Sequence, residues 1–149
     1  MTLKELSAES RLRKHTTSPR EIADLLRVVD RDMADACILQ LSTDRRFATA
    51  YNAALQLATI VLHAAGYQAS GAGHHWTTLH VLPEILGPRA VSRTDYLDGC
   101  RTNRNVTDND RAGEITTAEV AEILKEVDAF RSDVLAWLRA RHPSLLPKP

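Results

Sequence analysis

The segment from Arg45 to Ala65 constrains this fold most, because it is apolar almost all the way round a helix. Its apolar residues form two stripes at three- and four-residue spacing: Phe47, Tyr51, Ala54, Ala58, Val61 and Ala65 on one, and Ala50, Ala53, Leu57, Ile60 and Ala64 on the other. A helix that is apolar on more than one side lies at the centre of a bundle or forms an oligomer interface. The segment therefore predicts a central helix, covered by other helices or by a second copy of the chain.

Capping signals and apolar stripes predict the neighbouring helices. Ser18-Pro19-Arg20-Glu21 is a start signal in which Ser18 caps, Pro19 takes the first helical position and Glu21 completes a capping box. This helix is expected to run to about Leu41. Further helices are expected over Leu3–Lys14, His75–Leu86, Ser92–Thr107 and, after a capping box at Thr116–Glu119, up to Pro143. With no alternating strand pattern, these segments predict an all-α, four-to-five-helix up-and-down bundle.

The chain is predicted to be one domain with short appendages. Residues 1–17 are expected to form a basic, solvated lead-in, residues 18–142 the bundle and residues 143–149 a loose tail. The formal net charge of +0 gives no overall field for nucleic acid, so such a contact needs a local patch. Two cysteines make no disulfide framework, and neither a signal peptide nor a membrane span is recognisable. We expect a cytoplasmic protein without membrane contact.

The helix expected from Ser92 changes character along its length. Its first half carries an apolar arc of Tyr96, Leu97 and Cys100. At 100° per residue, the same arc continues onto Asn103, Arg104 and Thr107. A guanidinium on a core-directed arc needs polar partners or must line a cleft.

Two interpretations of Arg104 remain open. It could pair with Asp108 one turn further on and simply tie helices together. Alternatively, its forked donors could face a phosphate or a carboxylate in a cleft. On the second interpretation, the polar residues of this helix are the ligand-binding candidates: Arg101, Asn103, Arg104, Asn105, Asp108 and Asn109.

Several short motifs resemble the HEPN superfamily of helical domains. They are Tyr51-Asn52-Ala53-Ala54, Gly73-His74-His75 leading to Thr78-Leu79, and Tyr96 with Arg101–Asn105, and they span roughly residues 45–137. The resemblance implies a helical bundle that forms a homodimer. Many HEPN proteins are ribonucleases of toxin–antitoxin, phage-defence or RNA-processing systems, and others are non-catalytic partners of small nucleotidyltransferases. It also adds Tyr51 and His75 to the ligand-binding candidates.

The chain departs from the family's catalytic motif, an arginine followed by a polar residue and, four to six positions after the arginine, a histidine. Arg104-Asn105 match its first part, but the histidine position falls on Asn109, Asp110 or Arg111. An amide cannot exchange protons near neutral pH as an imidazole does. We therefore expect a defence or toxin–antitoxin protein that binds RNA or a nucleotide at the Arg104 helix without ribonuclease activity. A cognate antitoxin is an expected partner.

Two alternatives stay open: a substrate-binding or partner module for a nucleotidyltransferase, and a ribonuclease in which His75 is a remodelled acid/base. No cofactor is expected. A metal site built from His74, His75 and His80 with Cys37 or Cys100 is not favoured. The spacing from His75 to His80 does not stack on one helical face, and a second matched pair is missing. His63, late in an apolar helix, is interpreted as a core or interface residue.

Overall fold

A bundle of helices makes up most of the chain in the computed structural model, which describes residues 2–109 and 115–146 and, over residues 103–109, the backbone alone. The elements are α1 (Leu3–Ala8), β1 (Leu12–Lys14), α2 (Pro19–Ala36), α3 (Thr43–Ala64), β2 (Tyr67–Ala69), α4 (His74–His80), α5 (Leu82–Leu86), α6 (Val91–Asn109) and α7 (Thr117–Arg141), with 3-10 turns at Pro88–Ala90 and Pro143–Leu145. The predicted all-α helical bundle is confirmed.

α3 is the central helix, as its sequence predicts. Ser42 caps it by accepting a hydrogen bond from the backbone of Arg45 at 3.2 Å. α2, α6 and α7 pack around it. Residues of both stripes are fully buried: Ala50, Tyr51, Ala53, Ala54, Leu57, Ala58, Ile60 and Val61. One chain therefore covers both apolar faces of α3, and a second copy is not needed for that purpose.

The two predicted capping boxes have different outcomes. Thr116 and Glu119 form one at the start of α7, as predicted. At α2, Ser18 accepts from the backbone of Glu21 at 3.1 Å, but the Glu21 carboxylate turns to other side chains, so that capping-box prediction is wrong. α2 also ends at Ala36 rather than at Leu41. The Nε of Arg46 donates to the Ala36 carbonyl at 2.8 Å, which satisfies one of the acceptors left open at a helix end.

The N-terminal segment is packed, which corrects the expectation of a solvated lead-in helix. α1 ends at Ala8, and β1 pairs antiparallel with β2, with Leu12 opposite Ala69 and Lys14 opposite Tyr67. Leu6 and Leu12 are 2% exposed and form a second apolar cluster with Leu62 and Val81. The free energy gained by burying these two leucines explains why α1 ends at Ala8 instead of continuing to Lys14. The segment that follows α3 accordingly begins as a strand, β2.

Two further segments differ from their sequence predictions. The helix expected over His75–Leu86 is divided at Val81 into α4 and α5. Pro83 has no N–H to donate to the turn before it, which explains the division. In the expected loose tail, Leu145 and Leu146 pack against the main core. None of the helices described here combines the length and apolarity required to cross a membrane.

Candidate ligand-binding site

His75 and Arg101, two of the predicted ligand-binding residues, lie together at one surface depression between α4 and α6. The depression has a volume of about 230 Å³ and is lined by Gly73, His74, His75, Trp76 and Arg101. We call it the α4–α6 depression. Its histidines are the first two residues of α4, and its arginine comes from the middle of α6. The structure therefore joins two motifs that are separated in sequence.

The start of α4 explains how the histidines reach this surface. Gly73 precedes α4 with a φ of 72°, a left-handed conformation that favours glycine. Thr77, Thr78 and Leu79 point into the protein and are buried. His74, at the first position of α4, is exposed. The hydroxyl of Thr94 on α6 donates to the Leu79 carbonyl at 3.4 Å, which helps to fix α4 against α6.

Asp98 holds the Arg101 side chain at the depression. The Nε of Arg101 donates to Oδ1 of Asp98 at 3.1 Å. The Nε2 of His80 lies 3.6 Å from the same oxygen. A guanidinium has five N–H donors, and this bond uses only the one on Nε. Asp98 therefore orients Arg101 and offsets part of its charge without engaging the terminal nitrogens of its fork.

Trp76 carries its own covering of side chains. His80 stacks on its ring with centroids 4.4 Å apart and an interplanar angle of 20°. The Arg11 guanidinium carbon lies 5.2 Å from the centroid of the Trp76 ring, within the range of a cation–π contact. Trp76 thus brings a second arginine to this surface, but its ring is already engaged by two neighbours. Each of these two arginines is paired with a carboxylate: Arg11 with Glu9, and Arg101 with Asp98.

The remaining predicted site residues lie elsewhere or outside the described residues. Tyr51 is fully buried in α3 as part of the main core, away from the residues that line the α4–α6 depression. The α6 backbone is helical through Asn109, so Arg104 follows Arg101 by about one turn. Five candidate side chains fall outside the described residues: Asn103, Arg104, Asn105, Asp108 and Asn109.

A second constellation, the His–Glu cluster of His15, Glu21 and His63, was missed by sequence reasoning. The Oε1 of Glu21 lies 2.7 Å from Nε2 of His15 and 2.7 Å from Nδ1 of His63. The hydroxyl of Thr17 donates to the same oxygen at 2.8 Å. The two imidazole rings are tilted by 49° with centroids 4.4 Å apart. Two imidazoles and a hydroxyl thus converge on one carboxylate oxygen.

Burial and hydrogen bonding act in opposite directions on the pKa values in the His–Glu cluster. Burial raises the pKa of Glu21, but the hydrogen bonds from His15, Thr17 and His63 outweigh it and leave the pKa below its ordinary value. Burial lowers the pKa of His63, and the contact with Glu21 offsets that only in part. Glu21 is therefore an anion and His63 a neutral imidazole near pH 7.

The sequence offered a local explanation for each residue of this cluster. Glu21 fits a capping box, His63 fits an apolar helix and His15 lies in a basic segment. The β1–β2 pairing brings them together, because the backbone N–H of His15 donates to the Gly66 carbonyl at 2.9 Å, just beyond α3. Strands of three residues carry too short an alternation to be recognised. The residue types of the cluster, two histidines and a glutamate, were the one sequence signal for it.

No protein-family model, curated protein or solved structure matches this chain. The resemblance to the HEPN superfamily thus depends on the short motifs of the sequence, and the site must be interpreted from its own chemistry.

Proposed function

We propose that this helical bundle is a HEPN-like protein that binds RNA or a nucleotide at the α4–α6 depression and the adjoining Arg104 turn of α6. The observation that carries the proposal is the convergence of His75 and Arg101 on one depression. The same two segments, Gly73-His74-His75 and Arg101–Asn105, are among the motifs that carry the family resemblance.

The chemistry of the depression supports a phosphate as the group that is recognised. A planar guanidinium matches phosphate oxygens with paired N–H donors. Arg101 is only partly exposed, at 28% of its side chain, and is pre-oriented by Asp98, so little side-chain freedom is lost on binding. A volume of about 230 Å³ lies below the usual range for enclosing a whole ligand of drug size. Contact with an RNA backbone or with a nucleotide phosphate fits this space better than burial of a base.

Binding without cleavage completes the proposal. The position that carries the catalytic histidine in the family holds Asn109, Asp110 or Arg111 here. A bound phosphodiester would meet arginine donors but no imidazole from that position. The resemblance to defence and toxin–antitoxin proteins makes a cognate antitoxin a candidate partner. We further propose a cytoplasmic protein, since neither Cys37 nor Cys100 is in a disulfide.

Fluorescence anisotropy with a labelled single-stranded RNA, competed by ATP and by inorganic phosphate, tests the proposal. Loss of a hydrogen bond to a charged group costs about 1.5–3 kcal/mol, so Arg101→Ala and Arg104→Ala should each weaken binding about 10- to 100-fold. Arg139→Ala removes an exposed arginine from α7 and serves as the matched control. If Arg101→Ala and Arg104→Ala bind the RNA as tightly as Arg139→Ala and the unaltered protein, the α4–α6 surface is excluded as the binding site.

The proximity of His75 to Arg101 also favours a second candidate, a ribonuclease with a remodelled acid/base. A histidine and an arginine in one depression provide the residue types of the family motif in a different arrangement. Metal-independent RNA cleavage that His75→Ala abolishes, and that His74→Ala leaves intact, would establish this activity and overturn binding without cleavage.

The proposal includes a homodimer on the strength of the resemblance alone, since one chain covers both apolar faces of α3. In the family's arrangement the arginine helices of two protomers lie side by side across a two-fold axis. Multi-angle light scattering at micromolar concentration should then report twice the mass of the 16.5 kDa chain. A monomer would exclude a binding cleft formed jointly by the arginine helices of two protomers. Ligand binding at the depression of a single chain would then be measured separately.

A further inference from the structure

We propose that His15, Glu21 and His63 form a binding site for a divalent transition-metal ion of the zinc class. Each offers one ligand atom, and these atoms lie within 4.8 Å of one another. Two imidazole nitrogens and one carboxylate oxygen are a donor set that binds zinc in proteins. This site is distinct from the α4–α6 depression and does not depend on the function proposed for it.

The geometry of the His–Glu cluster lies close to that of a coordinated ion. Tetrahedral coordination with metal–ligand distances of about 2.0–2.1 Å places ligand atoms about 3.3 Å apart. The two distances to Glu21 are 2.7 Å, and the nitrogens of the two histidines are separated by no more than 4.8 Å. Movements of about 1 Å, within the reach of side-chain rotation, therefore convert the hydrogen-bonded cluster into a coordination site.

The three ligands are held in place by contacts outside the cluster. The backbone N–H of His15 donates to the carbonyl of Gly66, and the backbone N–H of Gly66 donates to the carbonyl of His63, both at 2.9 Å. The Thr17 hydroxyl fixes the Glu21 carboxylate at 2.8 Å, in the position of an outer-shell partner that orients a ligand. Backbone hydrogen bonds thus link the segments that carry His15 and His63, and Thr17 holds the Glu21 carboxylate.

Partial burial suits a site that exchanges its ion with solvent. The side chains of His15, Glu21 and His63 are 22%, 34% and 15% exposed. Three protein ligands leave the fourth tetrahedral position for water or another small ligand. The ligands come from the residue just after β1, the first turn of α2 and the last turn of α3, so a bound ion would link three segments of the fold.

The competing interpretation is a hydrogen-bonded staple that takes no metal. It differs in how it responds to Glu21→Gln. An amide oxygen still accepts hydrogen bonds from His15, Thr17 and His63, so the staple survives this change. Metal binding needs the carboxylate, because a neutral amide is a much poorer ligand for zinc.

Calorimetric titration of untagged, chelator-treated protein with Zn²⁺ at pH 7.5 tests the proposal. We expect one equivalent to bind with micromolar or tighter affinity. At 100-fold excess over Kd, the Tm should rise by about 5–10 °C. Loss of an outer-shell partner lowers metal affinity about 10- to 100-fold, so Thr17→Val should weaken Zn²⁺ binding by that factor. Glu21→Gln and His63→Gln, which replace ligands, should each weaken Zn²⁺ binding at least about 100-fold. Co²⁺ in place of Zn²⁺ should give visible absorption bands that vanish in the Glu21→Gln variant.

His74→Gln is the matched control, because His74 is an exposed histidine beside His75 and outside the cluster. It should bind Zn²⁺ like the unaltered protein. The proposal is overturned if no equivalent binds at 100 µM Zn²⁺, if Glu21→Gln leaves binding unchanged, or if His74→Gln removes it. Should His63→Gln fail to fold, imidazole ¹⁵N shifts of the unaltered protein decide, and an absence of Zn²⁺-induced shifts at His15 and His63 refutes the site.

Discussion

The Oε1 of Glu21 accepts a hydrogen bond from the Thr17 hydroxyl at 2.8 Å and also lies 2.7 Å from the Nδ1 of His63. The first contact is local, within four residues, whereas the second joins the start of α2 to the end of α3 across 42 positions. One carboxylate oxygen therefore connects a turn, a helix start and a helix end. This arrangement makes Glu21 a stability determinant of the junction between α2 and α3.

Glu21→Ala should destabilise the metal-free protein by about 1–3 kcal/mol, because it removes the shared acceptor of three partly buried groups. Glu21→Gln should cost less, since its amide oxygen can still accept. Urea denaturation in the presence of a chelator measures both changes. Glu84→Ala, at an exposed carboxylate near the start of another helix, is the control and should stay within about 0.5 kcal/mol. A loss no greater than that of the control would show that the junction does not depend on Glu21.

The helices could be predicted from sequence because their signals are local and repeated. The two stripes of α3 repeat over several helical turns. The capping box before α7 combines two residue types, Thr116 and Glu119, at a fixed spacing. The β1–β2 pairing could not be predicted, since it depends on burial of Leu6 and Leu12 by residues distant in sequence. The His–Glu cluster follows from that pairing and was missed for the same reason.

Leu12→Ala should destabilise the protein by about 2–5 kcal/mol. Leu12 is 2% exposed in the second apolar cluster, so truncation leaves a cavity that its neighbours fill only in part. Leu39→Ala is the matched control, because Leu39 is 78% exposed, and it should change stability by less than about 0.5 kcal/mol. Chemical denaturation measures both variants. Equal stabilities would mean that the N-terminal segment is the solvated arm that its composition suggests.

The candidate ligand site was predictable in part. His75 and Arg101 were singled out separately, and the structure places them at one depression. Tyr51 was singled out by the same resemblance but is a core residue, since its position on a doubly apolar helix outweighs the motif that contains it. The engagement of Trp76 by Arg11 and His80 could not be anticipated, because Arg11 reaches it from the packed N-terminal segment.

Asp32 and Asp30 provide a test of burial as the determinant of ion-pair strength. Asp32 is 4% exposed and accepts from Asn52 at 2.6 Å and from Arg31 at 2.9 Å. Asp32→Ala leaves the Asn52 amide without this acceptor in a partly buried place and should cost about 2–4 kcal/mol. Asp30 is paired with Arg131 at the surface, so Asp30→Ala should lower the free energy of unfolding by only about 0.2–1 kcal/mol. Comparable losses in urea denaturation would contradict this ranking.

The two cysteines should differ in reactivity toward thiol reagents. Cys37 is exposed beyond the end of α2, whereas Cys100 is buried in α6. Burial raises the pKa of the Cys100 thiol to about 11, and it therefore holds almost no thiolate at pH 8. Titration with an aromatic disulfide reagent should modify one thiol quickly and the second only after denaturation. Cys37→Ser should abolish the fast phase, and a fast phase that persists in this variant would show that Cys100 is accessible.

The raised pKa of Cys100 also sets how stability depends on alkaline pH. Its pKa rises from 9.0 to about 11, chiefly through burial, with Glu119, Glu122 and Glu126 adding to the rise and the hydrogen bond with Tyr96 opposing it. Because the folded state holds the proton more tightly than the unfolded chain, this contribution is fully present below pH 9 and is lost as the pH rises to about 11. Two pKa units correspond to about 2–3 kcal/mol. Urea midpoints of the unaltered protein should therefore fall more steeply between pH 9 and pH 11 than those of Cys100→Ala, which retains Tyr96 and the three glutamates. Parallel pH profiles for the two proteins would refute the contribution of Cys100.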